Sequence, residues 1–180
     1  PDAPRPRAAL RAFDPLYRAH FLNYGAHAAA RYPALDDEGE ILVIAHDPWI
    51  PNLDPLVGHK AGLGFTVSVV GVSTIGNNAT AIKDYIKSVY DTRDLAFVLL
   101  VGDATQVATT IRVVGGENGA CDACYGKVSG TDGYPDVMVG RFSAATAAEV
   151  DTQVRRTIDY ETLPAATQTW FKRAVGIASD

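Results

Sequence analysis

Short apolar runs, separated by segments of helical or turn character, recur along the chain from residue 41 onward. Residues 41–45 and 96–101 are continuous apolar runs of five and six residues, and residues 65–70 are rich in β-branched side chains. Runs this short suit strands that are buried on both faces. Because both faces can be covered only by helices above and below, residues 96–101 are predicted to form the central strand of a parallel sheet.

Segments with helical spacing and recognisable ends lie between these runs. Thr146 and Glu149 have the capping-box spacing that opens a helix, which we expect to reach about residue 161. Two more helices are predicted over residues 53–61 and 79–90, with Asn52 or Asp54 capping the first and Asn77 or Asn78 the second. Further strands are predicted at residues 137–139 and 173–178. This alternation predicts an α/β fold, a three-layer sandwich with a mostly parallel sheet flanked by helices.

The first 37 residues differ from the rest of the chain. They start with a proline-rich lead and end near an acidic stretch at residues 36–40. We interpret residues 1–37 as a leader or linker without a core of its own, and residues 38–180 as the folded unit. Because the last predicted strand stops where a ligand-facing loop would be expected, we expect that unit to be truncated.

Composition excludes several classes of partner. The net charge is −5, with 47% apolar and 21% charged residues, as in an ordinary globular domain. The sequence has no basic cluster that could neutralise phosphates, so we expect no nucleic-acid partner. No apolar segment approaches the roughly 20 residues that a membrane span requires.

The two cysteines, Cys121 and Cys124, are spaced as Cys-Asp-Ala-Cys in a glycine-rich loop. A zinc site of this type needs a second pair of ligands, and no histidine lies nearby. A thioredoxin-like pair would open a helix directly after a strand. The spacing therefore favours a local disulfide or two idle thiols over a metal or redox centre.

Two carboxylates, Asp132 and Asp136, flank a turn in the segment 129–136. They could converge on one calcium ion, with the backbone carbonyls of Ser129 and Tyr134 as further oxygen ligands. Alternatively, aspartate and glycine simply form turns here, and each carboxylate caps its own backbone. The residues alone leave both interpretations open.

Other polar residues have ordinary interpretations beside functional ones. Asp103 follows the central strand at the edge where α/β sheets place ligands, yet it could equally cap the next turn. Arg141, just after a predicted strand, is expected to pair with a surface or loop carboxylate rather than to bind substrate. No nucleophile elbow or phosphate-binding glycine loop is present, so the residues by themselves indicate an α/β module without catalytic machinery. The four histidines are interpreted as solvated or packing side chains: His20, His27, His46 and His59.

Several ordered motifs resemble the gingipain family of cysteine peptidases, which belongs to the caspase-like clan. They are Phe-Val-Leu-Leu-Val-Gly-Asp at 97–103, Tyr-Gly at 125–126, and Gly-Thr-Asp-Gly-Tyr-Pro-Asp-Val-Met-Val-Gly-Arg-Phe-Ser at 130–143. The likeness continues through residues 152–161 and 174–179 and covers roughly residues 38–180. The Cys-Asp-Ala-Cys insert departs from the family pattern.

The resemblance implies a caspase-like sandwich of two subdomains, of which this chain is the N-terminal one. It places the catalytic Cys-His dyad beyond residue 180, so neither Cys121 nor Cys124 is the nucleophile. It also implies structural calcium at Ser129, Asp132, Tyr134 and Asp136. We expect the turn at residues 130–136 to lie at the rim of the reaction centre. Arg31-Tyr32 is similar to a propeptide junction, which would make the leader a propeptide tail.

The function implied is the N-terminal portion of a secreted or cell-surface cysteine endopeptidase. Its partners would be the remaining C-terminal subdomain and protein or peptide substrates. The alternative is a non-catalytic scaffold or binding module that kept the peptidase-like fold. A generic nucleotide binder is the least favoured, since the glycine-rich phosphate loop is missing.

Overall fold

Strands and helices alternate along the chain in the computed structural model, which describes residues 10–20, 22, 38–163 and 176. Short 3-10 helices, at Arg11–Phe13, Asp47–Leu53 and Asp122–Gly126, connect the longer elements. The strands are β1 (Glu40–Ala45), β2 (Thr66–Gly71), β3 (Leu95–Val101), β4 (Ile111–Val114), β5 (Glu117–Ala120) and β6 (Met138–Phe142). The helices are α1 (Asp14–His20), α2 (Asp54–Gly62), α3 (Val72–Ile75), α4 (Ala79–Thr92) and α5 (Ala147–Thr162).

Four of the strands form one parallel sheet in the order β2-β1-β3-β6. All six residues of β1 are buried, and β3 has a neighbour on each side. The predicted parallel sheet with residues 96–101 in an interior strand is therefore confirmed. The predicted strand at residues 137–139 was too short, since β6 continues through Arg141 to Phe142.

Alternate residues of β1 point to two separate hydrophobic cores, one on each face of the sheet. Leu42 and Ile44 pack with Ile82 and Ile86 of α4 on one face. On the other face, the intervening residues of β1 pack with α2 and α5, where Leu56 and Val150 are almost wholly buried. Helices thus cover both faces, and the predicted three-layer sandwich is confirmed.

Local capping signals were predicted correctly for two helices. The Asn78 side chain accepts a hydrogen bond from the Ala81 amide at 2.9 Å, and Thr146 with Glu149 forms the complete capping box. The predicted caps of α2 were wrong. Its N-cap residue is Leu53, because the chain enters α2 from a 3-10 helix and the Asp54 amide already donates to the Pro51 carbonyl.

Two residues in the described part of the N-terminal region, Leu10 and Phe13, lie against the sandwich. Leu10 is buried, and the Phe13 ring centroid lies 5.4 Å from that of Phe97 in β3. The division of the chain at residue 37 stays a prediction. The proposed junction at Arg31-Tyr32 and, except for Gly176, the strand predicted at residues 173–178 lie outside the described residues. Among those residues, no helix is both long and apolar enough to cross a membrane.

Candidate functional site

The segments that follow the strands meet at the carboxyl edge of the sheet, where their backbone amides bind neighbouring strand ends and loops. The Gly102 amide donates to the Phe142 carbonyl at 3.0 Å, and the Asp103 amide donates to the Ala144 carbonyl at 2.9 Å. The His46 amide donates to the Val101 carbonyl at 3.0 Å. Open α/β sheets bind ligands at this edge, so it is the candidate functional edge of this chain.

Asp103 acts mainly as a turn residue at this edge. Its Oδ1 atom accepts a hydrogen bond from the Ala104 amide at 2.8 Å and from the Ser143 hydroxyl at 3.3 Å. Its backbone carbonyl accepts from the Gln106 and Val107 amides. These contacts support the interpretation of Asp103 as a cap for the following turn.

Asp47 and Ser73 form a second polar pair, which joins the 3-10 helix after β1 to α3 after β2. The Ser73 amide and hydroxyl donate to the two Asp47 carboxylate oxygens at 3.1 and 2.6 Å. The hydrogen bond from the Ser73 hydroxyl lowers the pKa of Asp47. Gly71 leaves the necessary room, since a Cβ atom there would lie 2.1 Å from Asp47 Oδ1.

The described histidines make packing and surface contacts, as predicted. His46 lies at the carboxyl edge with its ring edge-on to Trp49, at a centroid distance of 4.7 Å. His59 on α2 lies 2.8 Å from Glu161 on α5, whose other carboxylate oxygen binds Lys60. Burial raises the pKa of Glu161, but the hydrogen bonds from Lys60 and His59 outweigh it, so the net pKa is lowered. His20 lies on the surface, and His27 is outside the described residues.

Arg141 lies within β6 and is the most connected polar side chain at this edge. Its guanidinium binds Asp122 through two hydrogen bonds, from Nε at 2.7 Å and from Nη2 at 2.8 Å. Its Nη1 atom donates to the carbonyls of Gly102 and Val107, at 2.7 and 2.8 Å. The predicted pairing of Arg141 with a loop carboxylate is confirmed. The Arg141 hydrogen bonds hold the pKa of Asp122 below its usual value.

Sequence reasoning missed Asp122 as the partner, although it lies inside the Cys-Asp-Ala-Cys motif. The Thr109 hydroxyl also donates to Asp122 at 2.7 Å. Tyr125, three residues later, is fully buried and donates its hydroxyl to the Ala108 carbonyl at 2.7 Å. Burial raises the pKa of Tyr125 to about 12. The sequence did contain a signal for this partner, since Asp122 lies between two cysteines. A disulfide between those cysteines holds the carboxylate in one place.

Cys121 and Cys124 are joined by a disulfide. They are the only two cysteines in the sequence, so this bond consumes both thiols. The sequence left open a local disulfide or two idle thiols, and the local disulfide is confirmed. In this form the chain offers no thiolate nucleophile.

The turn that carries Asp132 and Asp136 does not lie at the carboxyl edge of the sheet. Asp136 is two residues before β6, and β6 runs parallel to β3, with Met138 beside Phe97. The turn therefore enters β6 at the amino edge of the sheet, opposite Gly102 and Asp103. The expectation that it lies at the functional rim was wrong, because the segment preceding a parallel strand lies at the strand's amino end.

Both carboxylates of this turn bind nearby backbone amides. Asp132 Oδ1 accepts from the Tyr134 amide at 2.9 Å, and Asp136 Oδ2 accepts from the amides of Val128 and Ser129 at 2.9 and 2.8 Å. Among the described residues, no three acidic, histidine or cysteine side chains cluster as metal ligands. A calcium ion here would therefore combine two carboxylates with backbone carbonyls, an oxygen set compatible with its irregular coordination.

Comparisons with known proteins agree with this architecture. The sequence model of peptidase family C25 matches residues 34–180. Gingipain R2 from Porphyromonas gingivalis W83 is 31% identical over 173 residues, covering 93% of this chain and 23% of the gingipain. Gingipain R1 from the same species is 29% identical over 179 residues, covering 96% of this chain and 17% of that protein. The chain thus spans less than a quarter of the length of these relatives.

Solved structures show the same likeness. The crystal structure of the Arg-specific cysteine proteinase gingipain R (RGPB) superposes with a TM-score of 0.62 at 31% identity, over 68% of this chain and 28% of that chain. The complex of P. gingivalis RgpB pro- and mature domains gives the same TM-score and identity, over 68% of this chain and 29% of that chain. The fold is therefore the caspase-like α/β sandwich of these neighbours, and the chain belongs to peptidase family C25, the gingipain-like cysteine peptidases.

Proposed function

We propose that this chain is the N-terminal subdomain of a cysteine endopeptidase whose Cys-His dyad lies beyond residue 180. The observation that carries the proposal is the pairing of Cys121 with Cys124 in a chain that matches a cysteine peptidase family. A cysteine peptidase needs a thiolate activated by a neighbouring base. Both thiols here are bonded to each other, which supports a nucleophile that is supplied by other polypeptide.

In the complete enzyme, this subdomain would brace one wall of the reaction centre against the C-terminal subdomain. The hydrogen bonds from Gly102 to the last residue of β6 and from Asp103 to the loop after β6 fix the carboxyl edge. Arg141 adds contacts from within β6 to the carbonyls of Gly102 and Val107. An edge held in this way provides the rigid support that a precisely positioned site needs.

Proteolysis assays on two proteins test this proposal. Residues 1–180 should not cleave a fluorescent protein substrate, whereas the longer protein containing them should cleave it and lose activity on treatment with iodoacetamide. Thiol-dependent cleavage by residues 1–180 alone would contradict the placement of the dyad. An inactive longer protein, freshly reduced and folded, would favour the non-catalytic scaffold instead.

We place the protein outside the cytoplasm, as a secreted or surface-bound peptidase. The disulfide supports this placement, because disulfides persist mainly in oxidising compartments. Fractionation of the source cells, followed by detection with an antibody against residues 38–163, tests it. Recovery only from the cytoplasmic fraction with Cys121 and Cys124 reduced would contradict it.

We also propose structural calcium at the turn, with Asp132 and Asp136 as carboxylate ligands and Ser129 and Tyr134 as carbonyl ligands. The hydrogen bonds described above use one oxygen of each carboxylate and shape the turn without a metal. The Asp136 contacts also orient the backbone at Val128 and Ser129. The ion would stabilise this turn at the amino edge and take no part in bond cleavage.

A further inference from the structure

The Cys121–Cys124 disulfide encloses Asp122, the carboxylate that binds Arg141. Asp122 lies between the two cysteines and holds the Arg141 guanidinium through both carboxylate oxygens. Arg141 in turn donates to the carbonyls of Gly102 and Val107, which lie in the loop after β3. A continuous series of contacts therefore leads from the disulfide to that loop.

Each cysteine is also fixed by a neighbour outside the disulfide. The Cys121 amide donates to the Thr110 carbonyl at 2.8 Å, and the Thr110 hydroxyl donates to the Cys121 carbonyl. Lys83 of α4 donates to the Cys124 carbonyl at 2.8 Å. The disulfide links these two anchored points, so that Asp122 is presented to Arg141 in one orientation.

We propose that this disulfide is a redox-sensitive latch for the loop at residues 102–108. Oxidised, it holds Asp122 on Arg141 and keeps the loop ordered; reduced, it lets Asp122 move and the loop open more often. Both cysteines are half-buried and Ala123 between them is exposed, so a small dithiol has access. The latch does not depend on the proposed peptidase activity.

The chemical step is a thiol–disulfide exchange. A dithiol reductant supplies two electrons and two protons, the Sγ–Sγ bond breaks, Cys121 and Cys124 become thiols, and the reductant closes to its own cyclic disulfide. Oxidation by a disulfide-bearing partner reverses the step with the same balance.

Hydrogen exchange measured by mass spectrometry on the full chain, with and without dithiothreitol at fixed pH, tests the latch. The amides of Val107 and Ala108, which donate to the Asp103 carbonyl and to Asn77 Oδ1, report on the loop. Reduction should speed their exchange about tenfold, because the open loop becomes more populated once the disulfide no longer restricts Asp122. Exchange in β1 should stay unchanged.

Two variants test whether the disulfide acts on the loop through Asp122 and Arg141. Asp122→Asn with the disulfide intact should give fast exchange at Val107 and Ala108, and dithiothreitol should add little. Asp91→Asn removes a surface carboxylate that pairs with Lys87 and should behave as wild type.

Three outcomes would overturn the latch: a disulfide that resists dithiothreitol, unchanged loop exchange after reduction, or an equal increase of exchange in β1. Slow exchange in Asp122→Asn would overturn the route through Arg141.

Discussion

The Asp122 carboxylate and the Arg141 guanidinium meet in a two-point hydrogen-bonded pair, with Nε–Oδ2 at 2.7 Å and Nη2–Oδ1 at 2.8 Å. The pair joins the disulfide loop to β6, and the Arg141 side chain is only 11% exposed. A planar guanidinium can bind a carboxylate and two carbonyls at once, whereas a lysine ammonium acts as a point charge.

Replacement of Arg141 should destabilise the fold even when the charge is kept. Arg141→Lys should lower the free energy of unfolding by about 2 kcal/mol and Arg141→Met by about 3 kcal/mol, because Asp122 and two loop carbonyls lose donors in a largely buried place. Urea unfolding of the full chain measures both. Arg155→Lys is the matched control, since Arg155 is 69% exposed and should change stability by less than about 0.5 kcal/mol. Equal effects at Arg141 and Arg155 would contradict the prediction.

The same pair predicts how stability depends on pH. The pKa of Asp122 is lowered in the folded chain, mainly by its hydrogen bonds from Arg141, relative to a usual value of 3.8. Its stabilising contribution is therefore complete well above pH 3.8 and is lost as the pH falls through that value towards the folded pKa.

Urea titrations of wild type and Asp122→Asn at several pH values between about 6 and 3 measure this contribution. The difference in unfolding free energy should shrink as the solution is acidified. Asp47 and Glu161 also have lowered pKa values, so acid should still destabilise the variant. A difference that stays constant across this range would contradict the assignment.

Gly71 should resist substitution by alanine, because the new methyl group would displace the Asp47 carboxylate. The Cβ atom would lie 2.1 Å from Oδ1 and 2.8 Å from Cγ. Loss of the hydrogen bonds from Ser73 should lower the unfolding free energy by about 1–2 kcal/mol. Thermal and urea unfolding should show this loss.

A double substitution separates the clash from any other effect at Gly71. Adding Asp47→Ala should cost much less in the Gly71→Ala background than in wild type, since the carboxylate is already displaced. Gly58 in α2 is the control, because a Cβ atom added there would have no neighbour within 4 Å. Gly58→Ala should therefore be neutral or stabilising. Additive effects at Gly71 and Asp47 would show that the two do not interact.

The parts of the fold that local sequence determines were predicted best. The continuous apolar run at residues 96–101 can be buried only between two helical layers, and the Thr146–Glu149 capping box needs only residues three apart. The N-cap of α2 was missed because a preceding 3-10 helix already supplies the acceptor for the Asp54 amide. The helix propensities of single residues do not reveal that another helix precedes α2 directly.

Long-range partners were harder to predict. Asp122 and Arg141 are 19 residues apart, and only the packing of the disulfide loop beside β6 brings them together. The position of the turn before β6, in contrast, was available from the sequence. Once residues 137–139 were predicted as a parallel strand, the segment before them had to lie at the amino edge, away from Asp103.

Calcium should stabilise the chain through the turn at Asp132 and Asp136. At a free concentration about 100 times the dissociation constant, it should raise the unfolding free energy by about 2.7 kcal/mol over that measured with chelator.

Asp132→Asn should reduce this gain because it removes one of the two carboxylates while the amide oxygen can still accept from the Tyr134 amide. Asp159→Asn changes a carboxylate that is 61% exposed on α5 and should leave the calcium gain intact. Melting curves of each protein with calcium, magnesium and chelator measure the gain. They also separate a calcium site from a general effect of divalent cations, since magnesium favours a stricter octahedral site. Equal melting with calcium and chelator in the wild type would remove the proposed site, and a gain that survives Asp132→Asn in full would move it elsewhere.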